Sequence, residues 1–296
     1  MRAAPWLGYT APLLQHGRSA TVARHIPPMK NTPQSRIRIG IGGWNYEPWR
    51  GAFYPEGLTQ KRELEYASRV LTSIEINSTY YGSQRPESFL KWHDETPDKF
   101  VFAVKAPRFA TNRRVLAEAG ASIEKFFASG VMNLKAKLGP VNWQFAPTRA
   151  FDPDDFAAFL ELLPASVAGQ PVRHALEVRH ESFRSPAFIA LAREHGAAVV
   201  IAGDSDYPQI ADLSAPFVYA RIMGTAEGEP EGYTDKALDR WAERARTWAA
   251  GGMPDDLATA GAKPLPAKHR DVYLYVISGH KVRNPAAAAA LIRRLA

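Results

Sequence analysis

From residue 37 onward, short apolar runs alternate with longer amphipathic stretches. Eight runs have the length and β-branched or aromatic content of strands: residues 37–42, 73–77, 100–105, 141–145, 174–179, 197–204, 217–223 and 271–278. Between them lie stretches whose apolar positions recur at three and four residues: 61–70, 85–95, 122–138, 152–163, 185–196, 234–250 and 284–296. Pro or Asp opens several of these, as expected at helix starts. Eight strands with intervening helices predict a TIM-type (β/α)8 barrel, one domain over residues 37–296. The interval between Asp204 and Phe217 is too brief for a full helix, so the sixth helix is expected to be short or missing. Residues 251–270, rich in Pro, Gly and Ala, read as a surface excursion before the last strand.

Strand parity then assigns the two faces, because successive side chains point to opposite sides. One parity is apolar: Ile74, Ile76, Phe102, Val104, Val141, Trp143, Phe145, Leu176, Val178, Ala220 and Ile222. That face must meet the helices. The other parity carries Glu75, Asn77, Lys105, Asn142, Gln144, Glu177, Arg179, Asp204, Arg221 and Met223, mostly at strand carboxyl ends. Barrel enzymes place their chemistry at those ends. A closed ionic network that only fixes strand register is one account of these groups. The other is a ligand site, since Val, Ile and Leu fill a barrel at less cost.

Composition narrows the chemistry. With 296 residues, 46% hydrophobic content and no long apolar run, the chain reads as a globular, cytoplasmic protein without a membrane span. It has no cysteine, which removes disulfides, thiolate nucleophiles and zinc-thiolate sites. The net charge of +7 is concentrated at the start. Arg2, Arg18, Arg24, Lys30 and Arg36 stand in an acid-free segment, leaving +2 for the rest. Residues 1–36 are therefore expected to be a disordered basic leader, and nucleic acid is not the expected partner of the domain. Nor is a nucleotide cofactor expected, because "GIGGW" lacks the spacing of a dinucleotide loop.

The stretches "GIGGWNYEPWRGAFYP", "SIEINSTYYGSQRPESFLKWHDETPDKFVFAVKAPRFAT", "KLGPVNWQFAP", "ALEVRHESF" and "YARIMG", followed by the terminal Ala-rich helix, resemble the DUF72, or YecE-like, family in order and spacing. The resemblance runs from about Ile37 to the C-terminus and implies a TIM-type barrel with no established molecular function. Two positions depart from the family pattern. Where its seventh strand ends in Arg-x-His-Gly, this chain has Arg221, Ile222, Met223 and Gly224. Where its eighth ends in paired Asn, this chain reads "ISGHKVRNP", and His280 is the polar replacement.

Within the polar parity, Glu177, Glu75 and Asp204 are the candidate acid/base groups, Glu177 first because Arg179 shares its face. Glu75 with Glu177 also has the residue types of a paired-carboxylate glycosidase. Lys105, Arg179 and Arg221 are expected to hold an anion, assisted by Asn77 and Gln144. Lys105 reads either as a salt-bridged residue or, if desolvated, as a Schiff-base amine. Trp44, Tyr46 and Trp49 follow the first strand, either stacking on a ligand at the mouth or plugging the rim. Ser278, Gly279 and His280 precede a helix beginning at Asn284 and Pro285, a place where backbone amides can face phosphate. A divalent metal on Glu75, Glu177, Asp204 and His180 or His280 is not favoured, because inward cations already oppose the acids.

The expected activity is thus binding of a small anionic metabolite, phosphorylated or carboxylated, with acid/base or hydrolytic turnover of the hydrolase or lyase kind. A non-catalytic binding or adaptor barrel is the alternative of different class, and a metal-dependent enzyme acting on nucleic acid is a third. Oligomeric state is not encoded in any pattern seen here.

Overall fold

The structure, a computed structural model, describes residues 37–296; the expected leader, residues 1–36, lies outside them. Eight strands close into a barrel: β1 (Ile37–Gly42), β2 (Ser73–Ile76), β3 (Val101–Lys105), β4 (Leu138–Gln144), β5 (His174–Glu177), β6 (Ala198–Gly203), β7 (Phe217–Ile222) and β8 (Asp271–Val276). Every neighbouring pair is parallel and follows chain order, with β8 closing on β1. This is the TIM-type barrel predicted by the pattern, with strand limits within a few residues.

The helices around it are α1 (Glu63–Val70), α2 (Pro86–Glu95), α3 (Gly120–Ala128), α4 (Pro153–Glu161), α5 (Pro186–Glu194), α6 (Asp235–Ala249) and α7 (Asn284–Leu295). Their starts follow local chemistry. Asp152 accepts from the amides of Asp154 and Asp155 ahead of Pro153, Ser185 accepts from Phe188 ahead of Pro186, and Thr234 accepts from Ala237. Each supplies an acceptor for otherwise orphaned first-turn donors.

Three departures from the sequence reading have plain causes. The stretch 122–138 is not one helix: α3 stops at Ala128, and a 3-10 segment at Val131–Lys137 follows Gly130, whose φ is +96°. A Cβ at Gly130 would lie 2.7 Å from Pro86, so the chain turns there against α2. Single helical turns at Ser78–Tyr81 and Arg108–Thr111, each following a strand, were not anticipated. The sixth helix is missing, as expected, and the third departure concerns what covers its position. Its place is taken partly by residues 251–270: Asp212 accepts from the amides of Ala260 and Ala262, and Ala211 donates to the Ala258 carbonyl. Ile210 and Leu257 are buried there, so the excursion is a cover for the barrel wall.

The apolar parity lies where expected. Ile74, Ile76, Phe102, Val104, Val141, Trp143, Phe145, Leu176, Val178, Ala220 and Ile222 all belong to the buried layer between strands and helices. Inside the barrel a second cluster forms, in which Tyr219, Tyr273, Tyr275 and Phe217 fill the volume left by Ala103, Ala175 and Ala198. Large aromatics need small neighbours in a closed interior of near-crystalline density. Gly40 shows the tightness: a Cβ there would lie 2.1 Å from the Ser73 carbonyl oxygen and 3.2 Å from the Tyr275 ring.

Candidate functional site

Above the tyrosines, the carboxyl ends of the strands bring four charged groups into one buried network. Arg221 from β7 lies at its centre, 2% exposed. Its Nη1 donates to both oxygens of Glu177 at 2.7 Å, and its Nη2 donates to Glu75 Oε1 at 3.1 Å. Arg179 donates to Glu177 Oε1 from Nε at 3.0 Å and Nη2 at 2.6 Å, and to Gln144 Oε1 at 2.9 Å. The Tyr207 hydroxyl accepts from Arg179 Nη1, and the Tyr207 ring stacks 4.2 Å from the guanidinium carbon. Asn142 bridges the acids, donating to Glu177 at 3.0 Å and Glu75 at 3.3 Å, and Tyr219 donates to Glu75 Oε2.

Both carboxylates are consequently saturated with donors. Burial works to raise the Glu177 carboxyl, but Arg221, Arg179 and Lys105 overcome it and hold it at about 2. Such an acid stays ionised and has little capacity as a proton acceptor near neutral pH. For Glu177 this argues against the expected catalytic role, and Glu75, held by Arg221, Asn142 and Tyr219, shares its donors. They anchor Arg221 beneath the site, and their shared cation does not suit a glycosidase pair.

Asp204 is corrected more sharply. Parity alone would send it inward, but β6 ends at Gly203, and Asp204 adopts φ +51°. Its Oδ2 then accepts from Trp241 Nε1 at 2.8 Å, on α6, away from the network. With the acids dispersed or paired, no group of three or more His, Asp or Glu is placed to hold a metal among the described residues. His180 instead accepts from the Ser182 amide at the start of a 3-10 turn.

Over the network opens a cleft of about 590 Å³. Its lining carries four cations, Lys105, Arg179, Arg221 and Lys281, and no carboxylate. Asn77, Gln144 and Ser278 line it too, with Trp44 on one wall packed edge-on against Trp92 at 5.1 Å. Asn77 Oδ1 is buried without a partner among the described residues. Lys105, 8% exposed, ends β3; its Nζ lies 4.5 Å from the centre of the Tyr80 ring and has no acceptor among the described residues. Burial pushes its ammonium down most, Arg221 and Arg179 add repulsion, and Glu75 and Glu177 pull back; the result is about 8. The expected salt-bridged lysine is thus not what forms, because the arginines already occupy both acids. Lys281 rests 4.1 Å from the Tyr46 ring, also without an acceptor among the described residues.

The other expected residues divide. Trp49 is fully buried and donates to the Lys281 carbonyl, so it plugs the rim and does not face a ligand. Tyr46 packs beneath Lys281 and does not line the cleft. Gly279 and His280 do not form an open amide cradle. A Cβ on Gly279 would lie 2.5 Å from Thr225 Oγ1, and the His280 amide is taken by the Thr225 carbonyl at 2.7 Å. Asn284 accepts from Thr225 Oγ1 and does not cap its helix. Met223 also lies outside the lining. Among residues that sequence reasoning missed are Tyr80, Tyr81 and Trp92, from the turn after β2 and from α2. The run "NSTYYGSQ" was a signal of a polar, aromatic loop at a strand's carboxyl end. Trp92 gave none, being one apolar position among several on a helix.

Comparison with known proteins agrees with this architecture. The signature of the family described as protein of unknown function DUF72 matches residues 38–296. The protein YecE of Escherichia coli K12 is 28% identical over 150 residues, 50% of this chain and 50% of that protein. YunF of Bacillus subtilis strain 168 is 29% identical over 192 residues, 62% of this chain and 64% of YunF. The chain thus spans about half of YecE and less than two thirds of YunF. A DUF72 protein of Thermotoga maritima superposes with a TM-score of 0.65 at 21% identity, covering 88% of this chain and 98% of that one. One from Enterococcus faecalis gives 0.65 at 15% identity, covering 88% and 95%. At that identity the superpositions speak to the fold alone. With a signature running from the second residue of β1 to the C-terminus, the chain belongs to the DUF72 family.

Proposed function

We propose that the cleft binds a small anionic metabolite, its anionic group held by Arg179 and Arg221 with Lys105 placed to act on it. One observation carries this reading: the cleft is lined by four cations and no carboxylate, and neither of its lysines has an acceptor among the described residues. In the network below, Arg221, Arg179 and Lys105 face only Glu75 and Glu177, a surplus of one positive charge. An uncompensated charge in a nearly closed interior is costly unless something pairs with it. A carboxylate or phosphate is the complementary partner, with Trp44 and Tyr80 lining the cleft beside the rest of the molecule. A charged metabolite of this kind is supplied by the cytoplasm, and the proposal places the protein there.

Calorimetric titration of the full chain with lactate, and separately with glycerol phosphate, tests the reading. Saturable binding is expected, weakened about tenfold or more in Lys105→Met, a loss of at least about 1.4 kcal/mol. Absence of binding by both anions, or equal affinity in the variant, sinks it.

A further inference from the structure

We propose that Lys105 forms an imine with a small anionic carbonyl compound, a 2-oxo acid or a phosphorylated aldehyde, held in the cleft. This rests on the anion site just described and names the chemistry it would serve. A lysine present only to balance charge would pair with Glu75 or Glu177, both of which lie in its electrostatic range. Instead both acids are taken by Arg221, Arg179, Asn142 and Tyr219, and the Lys105 amine is left facing the cavity.

Its placement is fixed. The Lys105 carbonyl accepts from Thr79 Oγ1 at 2.6 Å, and the next amide, that of Ala106, donates to the Asn142 carbonyl at 2.9 Å. A nucleophile on a rigid strand end, with cations alongside to hold the substrate's anionic group, has the orientation that intramolecular reactions exploit. Burial and the adjoining guanidinium favour the neutral amine, the form with a lone pair to give.

The step balances without an outside oxidant or reductant. The amine lone pair bonds to the carbonyl carbon, the carbonyl oxygen takes up protons and departs as water, and the nitrogen gives up two protons overall. Cavity water carries the transfers. The resulting C=N group, once protonated, is a stronger electron sink than the carbonyl it replaces, which suits cleavage of a bond next to it and a lyase more than a hydrolase.

Treating the full chain with pyruvate, or with glycolaldehyde phosphate, and then borohydride would reduce any imine to a stable secondary amine located by peptide mass mapping. The adduct is expected on Lys105, with a yield that rises as pH is raised through about 8. Lactate, which lacks the carbonyl, should protect Lys105, and Lys105→Arg should abolish the adduct. If lactate binds while Lys105 stays unlabelled, or is labelled no more than surface lysines, the imine is wrong and the anion site stands. If lactate and glycerol phosphate both fail to bind, the site reading fails and the imine with it.

Discussion

Lys105 is held in its neutral-leaning environment at a cost to the fold. Its ordinary pKa near 10.5 falls to about 8 in the folded chain, burial being the largest cause. Below pH 8 both folded and unfolded chains are protonated there, and the folded chain bears the full penalty, about 3 kcal/mol. Between about 8 and 10.5 the unfolded chain binds more protons, so this contribution to stability rises with pH across that window. Replacing Lys105 by Met leaves the two acids matched by two arginines and removes the surplus charge. Lys105→Met is therefore expected to be more stable than the parent at pH 7 by about 1–3 kcal/mol, seen as a higher urea midpoint at unchanged slope. A lower midpoint would mean that Lys105 is structural. At this scale the sequence was informative about which residues point inward, since parity needs only alternation. It was silent about which acid each cation would choose, because that depends on side chains from strands far apart in sequence.

At the scale of elements, β1 and β2 meet so closely that only glycine fits at position 40. Gly40→Ala would press a methyl group into the Ser73 carbonyl and toward Tyr275, whose hydroxyl is within 2.7 Å of Ser73 Oγ. Because backbone cannot yield as a flexible side chain does, a loss of about 3 kcal/mol is expected by chemical denaturation. A loss within experimental error would show that the strands can part there. Element identities were legible because strand and helix periods differ and because Pro, Ser, Asp and Thr mark helix starts. The break at Gly130 was not, since an isolated glycine is tolerated within a helical pattern and only its approach to Pro86 forces the turn. Nor was the packing of residues 251–270 beside β6, whose anchors, Asp212 and Gln209, lie in another loop.

For the whole molecule, acid should act through two buried groups at opposite ends of β5, His174 and Glu177. His174 is neutral: its Nδ1 accepts from Trp143 Nε1 at 3.0 Å, so Nε2 donates to the Pro164 carbonyl at 2.9 Å. Burial lowers it to about 4, with the Pro164 contact opposing. Between about 6.5 and 4 the unfolded chain takes up this proton and the folded chain does not, so stability falls as pH falls. Glu177, near 2 when folded, adds a second loss once pH drops below its unfolded value of about 4.3. Urea midpoints are expected to decline from about pH 6.5 downward and to steepen below about pH 4.3, by roughly 3 kcal/mol for each group. His174→Asn should flatten the upper part of that decline. A curve level down to pH 4 would contradict the His174 assignment.

The order of strands and helices, the closed parallel barrel and the inward polar parity were properties of the chain itself, because they rest on local periodicity and the twofold alternation of a strand. Which of the inward groups form the floor and which face the cleft was decided only in three dimensions. Arg221, brought between Glu75 and Glu177 by barrel closure, satisfies both acids, while a single left-handed residue turns Asp204 outward. Pairing among distant charges depends on distance and desolvation, and neither is written in the order of residues.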